Sequence, residues 1–138
     1  MPVAYLTRAV SFSATHCYFK PEWSAARNQE AFGPTTREHG HDYRCEVTVK
    51  GTPDPETGMV LDLGVLDRLL SDEVVQRFHH RRIHADVAEF AEGGRMPTGE
   101  MLCLDIWNRI ASRLPGGCTL VSVRVAEDAS LWAEYRGE

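Results

Sequence analysis

Two histidines separated by a single glycine, His39-Gly40-His41, are the residues of this 138-residue chain best suited to chemistry. In an extended strand, residues two apart project from the same side about 6.6 Å from each other, so both imidazoles can converge on one ion. Gly40 leaves room on the opposite side. A His-x-His pair alone also describes two ordinary histidines at the start of a strand. His16 adds a third imidazole, at the end of an earlier strand expected to face the same core. Three neutral imidazoles with one position left open are the ligand arrangement of a catalytic zinc, whereas structural zinc sites are closed by four protein ligands. The expected cofactor is therefore Zn2+, held by His16, His39 and His41.

The elements that must position these side chains can be read from periodicity. Between Ala4 and His16, residues Leu6, Val10, Phe12 and Ala14 alternate with mostly small or polar neighbours, the period-2 pattern of a half-buried strand that ends on His16. Residues 21–38 mix Pro, Gly, Asn, Arg and Thr without periodicity and read as a long loop, a type of segment that often carries function. A second strand is expected over His41 to Lys50, with His41, Tyr43, Cys45, Val47 and Val49 on one face. The turn formers of residues 52–58 close this region, and Asp62 then caps a helix carrying Leu63, Leu66, Leu70, Val74 and Phe78 at helical spacing. Pro97-Thr98 opens a second helix with Leu104, Trp107, Ile110, Ala111 and Leu114 along its stripe. Two strands follow, Thr119 to Ala126 and Leu131 to Tyr135. The order strand, strand, helix, helix, strand, strand predicts an α+β domain spanning residues 1–138, an antiparallel sheet with both helices on one face. Two open sheet edges make pairing between copies one available way to protect them.

Composition narrows the class. A hydrophobic content of 43%, a charged content of 25% and seven prolines describe an ordinary globular chain. A net charge of −5, with Arg81-Arg82 the one basic cluster, argues against a nucleic-acid partner, which requires concentrated Lys and Arg. No apolar run reaches the length of a signal peptide or membrane span, so no membrane partner and a cytoplasmic location are expected. Cys17, Cys45, Cys103 and Cys118 form no Cys-x-x-Cys pair and are expected to be reduced packing residues.

A family resemblance rests on several motifs in order: Phe12-Ser13-Ala14-Thr15-His16, Phe32-Gly33, His39-Gly40-His41-Asp42-Tyr43, Thr57-Gly58-Met59-Val60-Leu61-Asp62, Pro97-Thr98-Gly99-Glu100 and the ending Tyr135-Arg136-Gly137-Glu138. Together they resemble the landmarks of the 6-pyruvoyl and 6-carboxy tetrahydropterin synthases, over nearly the whole chain. The resemblance implies the tunnelling fold, in which three subunits join their sheets into a barrel, two trimers stack into a homohexamer, and each active site lies between subunits. It also implies that His16, His39 and His41 are zinc ligands and that Glu127, which on its own reads as a solvated residue at a strand end, anchors the amino-pyrimidine edge of a pterin. A carboxylate suits that edge because it accepts two parallel N–H bonds. Thr98 and Glu100 match the family's substrate-contacting turn, although a helix cap and a first-turn acid explain the same two residues.

The chain departs from the family at its proton-transfer positions. Where the synthases have a cysteine two residues after Phe-Gly, this chain has Thr35, whose hydroxyl is a far weaker base than a thiolate. Aligning Ile83 with a family leucine retains His80 and puts His79 in the place of an aspartate; His84 reads as a loop residue. Glu38 is another candidate base, since one branch of the family uses a glutamate in place of the loop cysteine. In a strand already extended at residue 38, however, its side chain would point away from the ligand imidazoles. Thr35, Glu38, His79 and His80 are the candidate catalytic residues. These changes point to a zinc enzyme of lyase, aldolase or isomerase type acting on a pterin-like or other small hydroxylated or carbonyl substrate, with little conversion of dihydroneopterin triphosphate. The alternatives are the parent 6-pyruvoyl or 6-carboxy synthase activity and a non-catalytic zinc- or pterin-binding homologue.

Overall fold

The computed structural model describes all 138 residues. Four strands, β1 (Ala4–His16), β2 (His39–Gly51), β3 (Cys118–Asp128) and β4 (Leu131–Tyr135), form one sheet in chain order, each antiparallel to its neighbour. The β1–β2 register runs without interruption from Ala4 opposite Gly51 to His16 opposite His39. Strict alternation therefore sends Phe12, Ala14 and His16 to the same side as Tyr43, Cys45, Val47 and Val49, and all seven are buried. The expected α+β architecture holds, with β2 starting two residues earlier than its apolar pattern suggested.

Helices cover that inner face. Asp62 caps α2 (Leu63–Leu70) by accepting a hydrogen bond from the Gly64 N–H at 2.8 Å. The helix continues through a widened π turn, Ser71–Val75, into α3 (Gln76–Phe78). After a short turn of helix, α4 (Ile83–Asp86), comes α5 (Gly99–Ala111), capped by Thr98, whose hydroxyl accepts from the Met101 N–H at 3.2 Å. Leu66, Leu70 and Phe78 join Leu102, Ile106 and Ile110 in a core closed beneath by Val123 and Val125 of β3. Arg77 crosses between the helices to the buried carboxylate of Asp105 at 2.5 Å. No helix is long and apolar enough to cross a membrane.

The segment read as irregular, residues 21–38, is partly helical. It holds α1 (Ala25–Phe32) and a 3-10 turn, Gly33–Thr36. Its helix is fixed by polar anchors rather than by an apolar stripe, which is why hydrophobic periodicity missed it. Ser24 caps it, and the buried Asn28 side chain bonds the Lys20 N–H and carbonyl and the Ser24 carbonyl at 2.7 to 3.1 Å. This connection returns the chain from the end of β1 to the start of β2, so His16 and His39 meet at the same end of the sheet. β3 runs back to that end and delivers Glu127 there. Asp128 closes the β3–β4 turn by accepting from the Ser130 N–H and hydroxyl, both at 2.7 Å.

Candidate metal centre

His16, His39 and His41 each present one ring nitrogen, and the three atoms lie within 4.8 Å of one another. The pairing explains the convergence: His16 stands opposite His39, and His41, two residues on, occupies the same face opposite Ala14. Their rings meet edge to face at centroid distances of 4.5 to 5.1 Å. Each of the two end residues is oriented by its other nitrogen. His16 Nδ1 lies 2.8 Å from the Pro97 carbonyl and 3.1 Å from the Tyr43 hydroxyl, and His39 Nδ1 lies 2.8 Å from the Arg37 carbonyl. Because a carbonyl can only accept, both Nδ1 atoms carry the proton, leaving an Nε2 lone pair on each, the second contact that metal-binding histidines characteristically have.

His16 Nε2 and His41 Nε2 are buried and have no hydrogen-bond partner. A buried acceptor without a partner is costly, and such atoms are rare. A metal ion is the partner that a convergent set of imidazole lone pairs suits, and so the residues present fit zinc. Burial holds the His16 pKa at about 4, against a raising contribution from the Pro97 carbonyl and with His39 and His41 pushing further down. The imidazole is therefore neutral, as a ligand must be, throughout the neutral pH range.

Glu127 faces this triad. Its carboxylate oxygens lie 3.8 Å from His16 Nε2 and 3.7 Å from His41 Nε2, and only 11% of the side chain is exposed. One residue is extra on β3 in its pairing with β4 between Ala126 and Asp128, so Glu127 sits at a bulge, a device that re-aims a side chain at a strand end. Tyr18 donates its phenol O–H to Glu127 at 3.4 Å. Burial, reinforced by Glu127 and Glu100, raises the Tyr18 pKa well above the ordinary phenol value. Tyr18, Thr98, Glu100, Glu127 and Trp132 line a cavity of about 460 Å³ at the N-terminus of α5. Thr98, the cap of α5, and Glu100, the acid of its first turn, are thus also cavity residues, so the two sequence readings of this turn are compatible.

The other sequence candidates lie elsewhere within the chain. Thr35 belongs to the 3-10 turn that precedes β2: its carbonyl accepts from the Tyr18 N–H at 2.8 Å, and its hydroxyl donates to the Phe32 carbonyl at 2.5 Å. Glu38 points to the opposite face of the sheet, as strand alternation required once β2 and its approach were extended. There it accepts from the Thr15 hydroxyl at 3.1 Å and from Arg82 at 2.9 Å, and lies 3.1 Å from His84 Nε2. Bonding to Arg82 holds the Glu38 pKa below the ordinary carboxylate value, which opposes its use as a base near neutrality. His79 and His80 stack at 3.7 Å, and they pin β1 from outside: the Ser13 N–H donates to His79 Nδ1 at 3.1 Å, and the His80 N–H donates to the Ser13 carbonyl at 2.7 Å. His80 has a φ of +60°, a left-handed conformation unusual for a residue with a side chain. His80 and Glu38 line a second cavity of about 450 Å³ with Ser13, Asp42 and Arg82. Within one chain, neither His80 nor Glu38 lines the cavity of Glu127.

Tyr18 was absent from the sequence reading of the site. Its signal was the same period of two that relates His39 to His41: Tyr18 follows His16 by two, and the ring centroids of the two residues are 4.9 Å apart.

Comparison with known proteins agrees with this architecture. Residues 5–138 match the sequence pattern of the family described as 6-pyruvoyl tetrahydropterin synthase. The chain belongs to that family. It is 37% identical over 138 residues to a 6-pyruvoyl tetrahydrobiopterin synthase of Drosophila melanogaster, covering 99% of this chain and 81% of the relative. It is 34% identical over 137 residues to the human 6-pyruvoyl tetrahydrobiopterin synthase, covering 98% and 92%. The structure of the Caenorhabditis elegans 6-pyruvoyl tetrahydropterin synthase superposes with a TM-score of 0.90 at 31% identity, covering 100% of this chain and 98% of that one. The four-stranded sheet with its helices is thus the tunnelling fold of the 6-pyruvoyl tetrahydropterin synthases.

Proposed function

We propose that the protein is a zinc-dependent lyase acting on the side chain of a dihydropterin, and that dihydroneopterin triphosphate, the substrate of the parent synthase reaction, is the compound it turns over. One observation carries the reading: three imidazole nitrogens converge beside Glu127, with the cavity of Thr98 and Glu100 alongside. The expectation of a different substrate rested on Thr35 and His79. Likeness to named synthases along the whole chain supports the parent reaction instead.

Zinc held by His16, His39 and His41 would supply Lewis-acid polarisation of a substrate oxygen. The remaining tasks fall to this chain's own side chains. Pro97 and Tyr43 hold the His16 ring in its ligand orientation. Glu127, which the resemblance assigned to the amino-pyrimidine edge, lies within 3.8 Å of the imidazoles and in this reading meets the reacting side chain instead, where its oxygens can accept a proton. Glu100, exposed in the first turn of α5, takes the amino-pyrimidine edge of the ring, helped by the positive end of the helix. Trp132 walls the cavity and limits water.

A homohexamer of two trimers follows from the same reading. Leu131 and Trp132 remain about half exposed at β4, the sheet's edge strand. Contact between copies is also the route by which His79 and His80, which face away from Glu127 in a single chain, reach a bound substrate.

Release of inorganic triphosphate from dihydroneopterin triphosphate by the zinc-loaded protein tests the proposal. Glu100→Gln is expected to raise KM about tenfold or more, and Glu127→Gln to lower mainly kcat, since a hydrogen bond to a charged group is worth about 1.5 to 3 kcal/mol. Absence of triphosphate release from fully loaded protein would overturn it.

A further inference from the structure

His80 is the one residue other than glycine with a positive φ, at +60°. A side chain in that left-handed region costs free energy, and such residues persist where their surroundings over-determine them, most often at functional sites. The surroundings here are the outer edge of β1, along which residues 79–82 are bonded. Ser13 gives its N–H to His79 Nδ1 at 3.1 Å and accepts the His80 N–H at 2.7 Å; Thr15 gives its N–H to the Arg81 carbonyl at 3.1 Å and pairs with Arg82 in a parallel bridge. One carboxylate secures the far end of this segment. Glu38 Oε1 accepts from Arg82 Nε at 2.9 Å, lies 2.9 Å from Arg82 Nη2 and 3.1 Å from His84 Nε2, while Glu38 Oε2 accepts from the Thr15 hydroxyl at 3.1 Å. The His84 ring has no second anchor, because its Nδ1 is buried without a partner. Glu38 and His80 line the same cavity of about 450 Å³.

Resting on the reading above that His80 reaches a substrate held by another copy, we propose that Glu38 is a positioning residue: by clamping Arg82 and His84 to Thr15, it holds His80 in the strained geometry from which its ring transfers a proton. Arg82 and His84 follow His80 by two and four residues, so the clamp fixes the chain just beyond the strain. Without the carboxylate's charge, only the bonds to Ser13 and Thr15 oppose relaxation of residue 80 toward an ordinary φ, and the ring turns with the backbone. Glu38 thus serves the reaction from the outer face of the sheet, without meeting the metal ligands' nitrogens or the substrate.

Steady-state triphosphate release by zinc-loaded Glu38→Gln, His80→Ala and the double variant separates this role from a merely structural one. Glu38→Gln should lower kcat about ten- to a hundredfold, the cost of a misplaced reacting group, with KM and zinc content within about twofold of the unsubstituted protein. In the His80→Ala background the same substitution should change kcat by less than about twofold, because the carboxylate acts through that imidazole. Hydrogen exchange reads the clamp without turnover: the His80 amide, bonded to the Ser13 carbonyl, should exchange at least about tenfold faster in Glu38→Gln. Equal losses of kcat in the two backgrounds would overturn the inference, as would an unchanged kcat or unchanged exchange at His80. If the unsubstituted protein releases no triphosphate, the functional reading falls instead, and exchange at His80 alone decides whether Glu38 clamps the segment.

Discussion

Removing the metal should make folding stability sensitive to acid, and His16 sets the size of the effect. The side chain is fully buried in the fold, and its pKa lies at about 4, against about 6.5 in an unfolded chain. Between those values the unfolded chain binds a proton that the folded chain refuses, so stability must fall as pH falls. The contribution is fully present above pH 6.5 and is lost progressively toward pH 4. Integrating the two titrations gives a loss of about 2 kcal/mol between pH 8 and pH 5, approaching roughly 3 kcal/mol below pH 4. Urea unfolding of chelator-treated protein, followed by tryptophan fluorescence at fixed protein concentration, measures it. A His16→Asn variant should be less stable at pH 8 and should lose about 2 kcal/mol less on acidification. Parallel pH profiles for the two proteins would refute the reasoning, since the acid sensitivity would then arise at other groups.

Other outcomes follow from named contacts. His39→Ala and His41→Ala should each reduce zinc below about one ion per chain by elemental analysis while circular dichroism stays unchanged, because neither side chain belongs to the apolar core. Thr35→Cys should raise kcat for triphosphate release at least about tenfold near pH 8, since general acid–base assistance contributes about 10² to 10⁴. An unchanged rate would remove residue 35 from the proton path. Asp105→Asn should cost about 1.5 to 3 kcal/mol in chemical denaturation, because it removes the nearer of the two carboxylates that pair with the Arg77 guanidinium and leaves only Glu89 at 3.4 Å. Light scattering should give a hexameric mass at micromolar concentration, and a stable monomer would contradict the assembly.

Alternation and capping determined much of this protein without tertiary information. The two long strands were legible because their side chains repeat every two residues, a property of the backbone alone, and the same rule placed His16, His39 and His41 on one face. Asp62 and Thr98 announced their helices through cap chemistry that is local in sequence. Strand alternation also turned Glu38 away from the triad as soon as the strand was extended. The sequence missed α1, whose anchors are the buried Asn28 carboxamide and backbone groups brought together by the turn at Lys20. That burial has no periodic signature.

Convergence was a matter for the tertiary structure. The spacing of Glu127 from the imidazoles depends on β3 running back to the end of the sheet where His16 and His39 pair, which also brings Glu127 to Tyr18, 109 residues earlier in the chain. The orientation of His16 depends on the Pro97 carbonyl, an acceptor that every residue type offers and no motif can mark. The placement of His79 and His80 outside β1 likewise follows from their backbone and ring contacts to Ser13. Sequence fixes which side chains share a face, because that is set by neighbours along one strand. Which groups meet across the site is set by packing between segments, and only the folded chain decides it.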